Sequence, residues 1–192
     1  STIHDVFDAA CKLAEERGIR VTGSELVGLI PLEAMIMAGK YYLKKQNRSL
    51  GVPTADIVEC AVQSLGLNDV TKFDPQEKII DYAVQSENRP LMSLTGTGFV
   101  KELSTNSPAP GGGSVAALAG ALGAALSSMV AALTHEKKEM LETKPEMDII
   151  GVEAQTLKDR LTFLVDEDTE AFNKVMDANR MAATNDNEQK IK

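Results

Sequence analysis

Apolar residues recur at helical spacing through most of the chain, and this pattern predicts its elements. Ile19–Gly23 is the exception, because it is short and β-branched and predicts a strand. Gly and Pro mark the ends of the helices around it. The helices predicted in the first half are His4–Arg17, Leu32–Lys45, Thr54–Leu65 and Lys78–Gln85.

A single strand has no partner to pair with, so this part cannot be a complete sheet domain. Residues 1–84 are therefore predicted to be the tail of an α/β (or α+β) subdomain. Residues 85–93 are polar, contain Pro90 and predict a linker. Residues 94–192 show helical periodicity throughout and predict an all-α helix bundle. Because the helical pattern already runs at residue 4, we expect both ends to be cut from a longer polypeptide.

The chain has no Asp, Glu, Lys or Arg between Glu102 and Glu136. This length permits a membrane helix, but Val115–Leu133 is rich in Ala and weakly hydrophobic, which favours a helix buried on all sides of a protein. Small residues recur there at every fourth position and allow another helix to approach closely, in a tight bundle or at a subunit interface. They are Gly112, Ala116, Gly120, Ala124, Ser128 and Ala132.

The run Gly111, Gly112, Gly113 and Ser114 opens this helix, and two interpretations of it remain. It is a flexible loop that ends in a serine N-cap, or it is an anion site built from backbone N–H groups at a helix N-terminus. The Lys-Ser/Thr pair of a phosphate-binding P-loop does not follow it.

The region from Asp148 to about Ala182 predicts one long helix. Turning about 100° per residue places Asp168 in the same apolar stripe as Leu161 and Leu164, with Asp166, Glu167 and Glu170 on the solvated face. A carboxylate on a buried face loses solvation, which suits general acid–base catalysis. The alternative is a polar residue that a neighbouring helix satisfies, or one exposed at the edge of the helix.

Composition narrows the classes of partner. The chain of 192 residues is 43% hydrophobic but only 4% aromatic, which suits helices, and its net charge is −8. The negative electrostatic field of such a chain repels nucleic acid and anionic membranes, so we expect neither as a partner. Cys11 and Cys60 lack metal-ligand spacing and fit free thiols in a reducing compartment, so we expect a cytoplasmic protein without a metal.

Four segments carry a resemblance to a known family. They are Val21–Leu32 (VTGSELVGLIPL), Leu65–Leu67 with Phe73–Tyr82 (FDPQEKIIDY), Ser107–Ala117 (SPAPGGGSVAA) and Leu164–Phe172 (LVDEDTEAF). In this order they resemble the formiminotransferase-cyclodeaminase family, from the end of the transferase C-terminal subdomain (1–84) through the linker (85–93) to the first half of the cyclodeaminase domain (94–192).

The resemblance implies a bifunctional enzyme of histidine degradation. It would transfer the formimino group of N-formiminoglutamate to tetrahydrofolate, a co-substrate that we expect to be polyglutamylated. It would then cyclise the product to 5,10-methenyltetrahydrofolate with release of ammonia. The resemblance also implies a homo-oligomer and maps the catalytic residue onto Asp168. From the glycine-rich turn itself, we expect the backbone N–H groups of Gly111, Gly112, Gly113 and Ser114 to hold part of the folate. The transferase histidine of the family lies outside this chain, so the chain alone is expected to be inactive. A methenyltetrahydrofolate cyclohydrolase and a non-catalytic helical assembly module are the alternatives.

Overall fold

The computed structural model describes residues 2–84 and 89–180, and helices dominate this part of the chain. It contains eight α-helices and one 3-10 helix, Lys138–Thr143. The α-helices are α1 (Ile3–Glu15), α2 (Leu32–Lys45), α3 (Thr54–Ser64), α4 (Pro75–Lys78), α5 (Ile80–Val84), α6 (Gly96–Leu103), α7 (Gly112–His135) and α8 (Lys144–Arg180).

The helix ends lie close to their predicted positions because local chemistry sets them. Gly18 and Gly66 adopt positive φ angles of 70° and 62° just after α1 and α3, a conformation that favours glycine. Asp74 caps α4, and its side chain accepts the backbone N–H of Gln76 at 2.9 Å. The helix predicted over Lys78–Gln85 is displaced, because the extended backbone of Ile79 separates α4 from α5.

The predicted strand Ile19–Gly23 is wrong for this structure. These residues have no regular secondary structure, and the β-pairing within 2–84 and 89–180 is one isolated parallel bridge between Ile30 and Ile79. A strand is stabilised by the hydrogen bonds of a neighbouring strand, and no such neighbour is present here. The helical half of the predicted fold class is therefore observed, whereas an α/β tail is not.

The chain divides into two compact units. The first comprises the described residues of 1–87 and 127–155, and the second those of 88–126 and 156–192. The core of the first unit lies on α2 and α3 and contains Met35, Leu43, Val62 and Ile79, each almost fully buried. The second unit has a smaller core formed by Leu91, Phe99, Ala117 and Val165.

Helix α7 is not buried on all sides, contrary to the prediction. One face is apolar and exposed, and its residues are Leu122, Leu126, Met129, Val130 and Leu133, each at least 50% exposed. The buried residues of α7 lie on one face of the helix, and all but the last are small: Ser114, Ala117, Ala121, Ser128, Ala131 and His135. Among the described helices, α7 is long and apolar enough to span a membrane, which for one helix is weak evidence.

Candidate active site

The second unit places the start of α7 against α8. Ser114, in the first turn of α7, is fully buried. Its Oγ lies 2.8 Å from the carbonyl oxygen of Val165 and 3.1 Å from Oγ1 of Thr169. Because a serine hydroxyl carries one proton, we assign that proton to the carbonyl of Val165. Ser114 therefore holds the first turn of α7 to the backbone of α8.

Asp168 caps the same turn from α8. Its Oδ2 accepts the backbone N–H of Ser114 at 2.9 Å and lies 3.2 Å from Ser114 Oγ. The N–H groups of the first turn lack partners inside a helix, and a carboxylate there also interacts favourably with the helix dipole. Asp168, a residue of α8, thus caps the N-terminus of α7.

Gly113 makes this approach possible. A Cβ atom added at Gly113 would collide with the carboxyl group of Asp168, whereas one added at Gly112 would meet nothing within 4 Å. Only one of these adjacent glycines therefore has a steric reason to be glycine. Farther along, a Cβ at Gly120 would lie 3.1 Å from Cδ1 of Leu161, so α7 and α8 also pack closely there.

A cleft of about 520 Å³ opens beside this contact. Its walls are mainly apolar, with the carboxyl groups of Asp168 and Glu167 as the ionisable side chains. The lining residues are Gly113, Ala116, Ala117, Leu161, Leu164, Glu167, Asp168 and Ala171. A cleft with few polar groups among apolar walls is the usual form of a small-molecule site.

Asp168 is an exposed residue, so the prediction of a buried carboxylate is wrong. The stripe on which that prediction rested is buried only in part, because Val165 is fully buried but Leu157 and Val175 are 57% and 58% exposed. The prediction that Asp168 shares a face with Leu161 and Leu164 is correct, since all three line the cleft. Asp168 meets solvent at the cleft beside α7.

The structure separates the four residues predicted to bind substrate. Gly113 and Ser114 contact Asp168, whereas Gly111 and Gly112 do not. The carbonyl of Gly111 accepts the N–H of Val115 at 3.2 Å, so this residue closes the first turn of α7. All four lie at the beginning of α7, and their role in binding a substrate remains a prediction.

Two acidic residues were wrongly assigned to the solvated face. Asp166 accepts the backbone N–H groups of Leu91 at 2.8 Å and Met92 at 3.2 Å, and so holds the segment before α6. Glu167 lines the cleft, and its Oε2 lies 3.4 Å from a guanidinium nitrogen of Arg160. Successive residues of a helix point about 100° apart, so a helix that contacts two elements uses more than one face.

The histidines lie outside this cleft. His4 stacks on Tyr41 in the first unit, with ring centroids 4.4 Å apart. His135 ends α7 and is also buried in the first unit, with its Nε2 3.6 Å from Oδ2 of Asp148. Within 2–84 and 89–180, His, Cys, Asp and Glu form no group of three that could hold a metal ion.

Comparison with known proteins gives matches in the same order along the chain as the four segments named in the sequence analysis. The family profile described as "Formiminotransferase domain" matches residues 1–85, and the one described as "Formiminotransferase-cyclodeaminase" matches residues 95–192. The chain belongs to the formiminotransferase-cyclodeaminase family. The resemblance inferred from the four sequence segments is thereby confirmed.

Relatives of this family cover most of the chain. It is 38% identical over 181 residues to the formimidoyltransferase-cyclodeaminase of Mus musculus. This alignment covers 93% of the chain and 33% of the relative. It is 44% identical over 140 residues to that of Dictyostelium discoideum, which covers 71% and 26%. A methenyltetrahydrofolate cyclohydrolase from Methylorubrum extorquens is 38% identical over 91 residues, covering 47% of the chain and 44% of that protein. The chain thus spans about a third of the length of the formimidoyltransferase-cyclodeaminases that it matches.

Proposed function

We propose that this chain is part of a bifunctional folate enzyme of histidine degradation. One activity transfers the formimino group of N-formiminoglutamate to tetrahydrofolate. The other cyclises 5-formiminotetrahydrofolate to 5,10-methenyltetrahydrofolate and releases ammonia. Membership of the family supports both activities, and the cleft between α7 and α8 supports the second.

The observation that carries the proposal is the contact of Asp168 with the start of α7 at the edge of this cleft. Oδ2 of Asp168 is bound by Ser114, which fixes the direction of the carboxyl group. Since Asp168 is also exposed at the cleft, its carboxyl group can reach a bound molecule. A fixed carboxyl group beside an apolar cleft is suited to proton transfer.

In the cyclisation, N10 of the folate attacks the formimino carbon and forms the five-membered ring. N10 loses its proton, and the former imino nitrogen takes up this proton and becomes an amine on the ring carbon. This amine gains a proton and leaves as ammonia, and the ring carbon becomes the methenyl group. We assign the proton transfers to Asp168, and the backbone N–H groups of Gly111–Ser114 to holding part of the folate.

Further parts of the proposal come from the family. Residues 1–84 would be the C-terminal part of a formiminotransferase C-subdomain. We also propose a cytoplasmic homo-oligomer that assembles through its helical domain and takes polyglutamylated folate. The exposed apolar face of α7 supports such an assembly.

The test is cyclodeaminase turnover in a polypeptide as long as the matched relatives and carrying Asp168→Asn. Asparagine keeps an oxygen that can accept the Ser114 N–H, so α7 stays in place while proton transfer is removed. We expect kcat to fall by about 100-fold or more, the usual contribution of a general acid–base group. Formiminotransferase activity should stay unchanged.

The matched control is Glu170→Gln, two residues away on α8. Its side chain is 69% exposed and pairs only loosely with Lys174, at 3.5 Å. We expect wild-type turnover for this variant. Wild-type turnover for Asp168→Asn as well would remove Asp168 from the mechanism.

The similarity to a methenyltetrahydrofolate cyclohydrolase favours a second candidate function for the helical part. In that reaction water attacks the methenyl carbon and no ammonia is released. Supplying 5-formiminotetrahydrofolate and 5,10-methenyltetrahydrofolate separately distinguishes the two. Ammonia release from the first substrate supports the cyclodeaminase, and hydrolysis of the second alone supports the cyclohydrolase.

A further inference from the structure

A loop of the formiminotransferase-like part meets the end of the α7–α8 hairpin inside the first compact unit. The loop is residues 47–51, which lie within the transferase match. The hairpin end is residues 127–155, which lie within the cyclodeaminase match. Both belong to the same compact unit, so this unit crosses from one family match into the other.

The two backbones cross in direct contact at Gly51 and Gly151, both of which are buried. A Cβ added at Gly151 would lie 2.8 Å from Cα of Gly51, and one added at Gly51 would collide with the backbone of Gly151. Neither residue can carry a side chain without separating loop and helix. Glycine at both positions therefore has a packing reason, since neither has a positive φ angle.

Buried hydrogen bonds join the same two segments. Ser128, which is 2% exposed, donates its Oγ proton to the carbonyl of Gly51 at 2.9 Å. Gln155 Nε2 in turn donates to Ser128 Oγ at 2.8 Å. Separating the segments would leave the Gly51 carbonyl without this partner.

Asp148 provides a second connection. Its Oδ1 accepts the backbone N–H of Leu50 at 2.8 Å, and its Oδ2 lies 3.6 Å from Nε2 of the buried His135. One carboxyl group thus lies between the loop and the C-terminal end of α7. Lys144 adds a weaker contact, with its Nζ 3.3 Å from Oδ1 of Asn47.

We propose that loop 47–51 is a docking site for the end of the α7–α8 hairpin, an intrachain interface that holds the cyclodeaminase-like part against the transferase-like part. The partner of the hairpin end is therefore a segment of its own chain. A substitution in the cyclodeaminase-like part should then weaken the structure of the transferase-like loop. Two independently folding parts would show no such effect.

The test is native-state hydrogen exchange on the full chain, read at the amide of Leu50. Gly151→Val forces the backbones apart, and Ser128→Ala removes the hydrogen bonds of Ser128 with Gly51 and Gln155 with little change in shape. In both variants we expect the Leu50 amide to exchange at least about tenfold faster than in the wild type. Amides in the centres of α2 and α3 should keep their wild-type rates.

Gly123→Ala is the matched control on α7, because a Cβ there meets nothing within 4 Å. We expect wild-type exchange at Leu50 for this variant. Should Gly151→Val fail to fold, Ser128→Ala decides the question by itself. Leu50 exchange in Ser128→Ala equal to that in Gly123→Ala would overturn the proposed docking.

Discussion

Single residues at the start of α7 have different tasks although the sequence presents them as one glycine run. Gly113 leaves space for the carboxyl group of Asp168, whereas Gly112 faces open space. Asp168 was singled out from its place on the α8 helix, and it does line the cleft, but it is exposed, as in the alternative interpretation, and not buried. The role of Asp166 was missed because its partners, Leu91 and Met92, lie more than 70 positions away in sequence.

The two glycines make a matched pair for a prediction. We expect Gly113→Ala to lower the free energy of unfolding by about 1–3 kcal/mol, because the new methyl group pushes Asp168 off the Ser114 N–H. Gly112→Ala should be neutral or stabilising by up to about 1 kcal/mol, since alanine is the better helix former. Urea unfolding followed by circular dichroism measures both. Equal effects would show that Asp168 does not need the space at Gly113.

Asp8 ties α1 to α2. Its carboxylate accepts hydrogen bonds from Lys45 Nζ at 2.8 Å, Tyr41 OH at 2.7 Å and Tyr42 OH at 3.0 Å. The hydrogen bond from Lys45 is the largest cause that lowers the pKa of Asp8 below its ordinary value, and the two tyrosines add to it. The folded chain therefore releases this proton more readily than the unfolded chain.

Asp8→Asn should cost about 1–2 kcal/mol of unfolding free energy at pH 7, because an amide accepts weaker hydrogen bonds than a carboxylate. A lowered pKa stabilises fully above the unfolded pKa, and this contribution is lost as pH falls through the folded pKa. The difference between wild type and variant should thus be constant from about pH 5 to 8 and shrink below about pH 4. Urea unfolding across this range measures it, with the exposed Glu15→Gln on α1 as control. A difference that grows on acidification would contradict the prediction.

At the scale of elements, α7 has two faces of opposite character. Its buried residues, apart from His135, are small, while large apolar side chains occupy the exposed face. Local propensities in the sequence predict where such a helix begins and ends, because its hydrogen bonds are local. Which face packs against α8 depends on the shape of another element, and the small residues allow the closer approach.

The two faces respond differently to the same substitution. Ala131→Leu adds bulk at a residue that is 2% exposed and lies near Gly151, and we expect it to cost about 1–3 kcal/mol. Ala119→Leu adds the same bulk to an exposed position on the same helix and should change stability by less than about 0.5 kcal/mol. Thermal unfolding distinguishes them. Equal costs would show that the small residues do not define the packed face.

For the whole molecule, the net charge of −8 and the exposed apolar face of α7 act in opposite directions on membrane binding. Charge repels an anionic surface, whereas an apolar face favours insertion. We expect the chain to stay unbound in flotation with vesicles of anionic phospholipid, because α7 is packed against α8 through its buried residues. Vesicles of neutral phospholipid are the control, because they do not repel the negatively charged chain. Flotation with the neutral vesicles would indicate that α7 inserts.

The sequence by itself determined most of the helices, their approximate ends and the family, since caps, glycine stops and helical periodicity act within a few residues. Tertiary structure alone decided that Ile19–Gly23 forms no strand, that α7 keeps an exposed apolar face, and that Asp168 lies in solvent beside the cleft. The physical reason is that strand pairing and burial depend on a partner surface, which is distant in sequence. Whether a partner covers a residue cannot be derived from the residue's own neighbours in the chain.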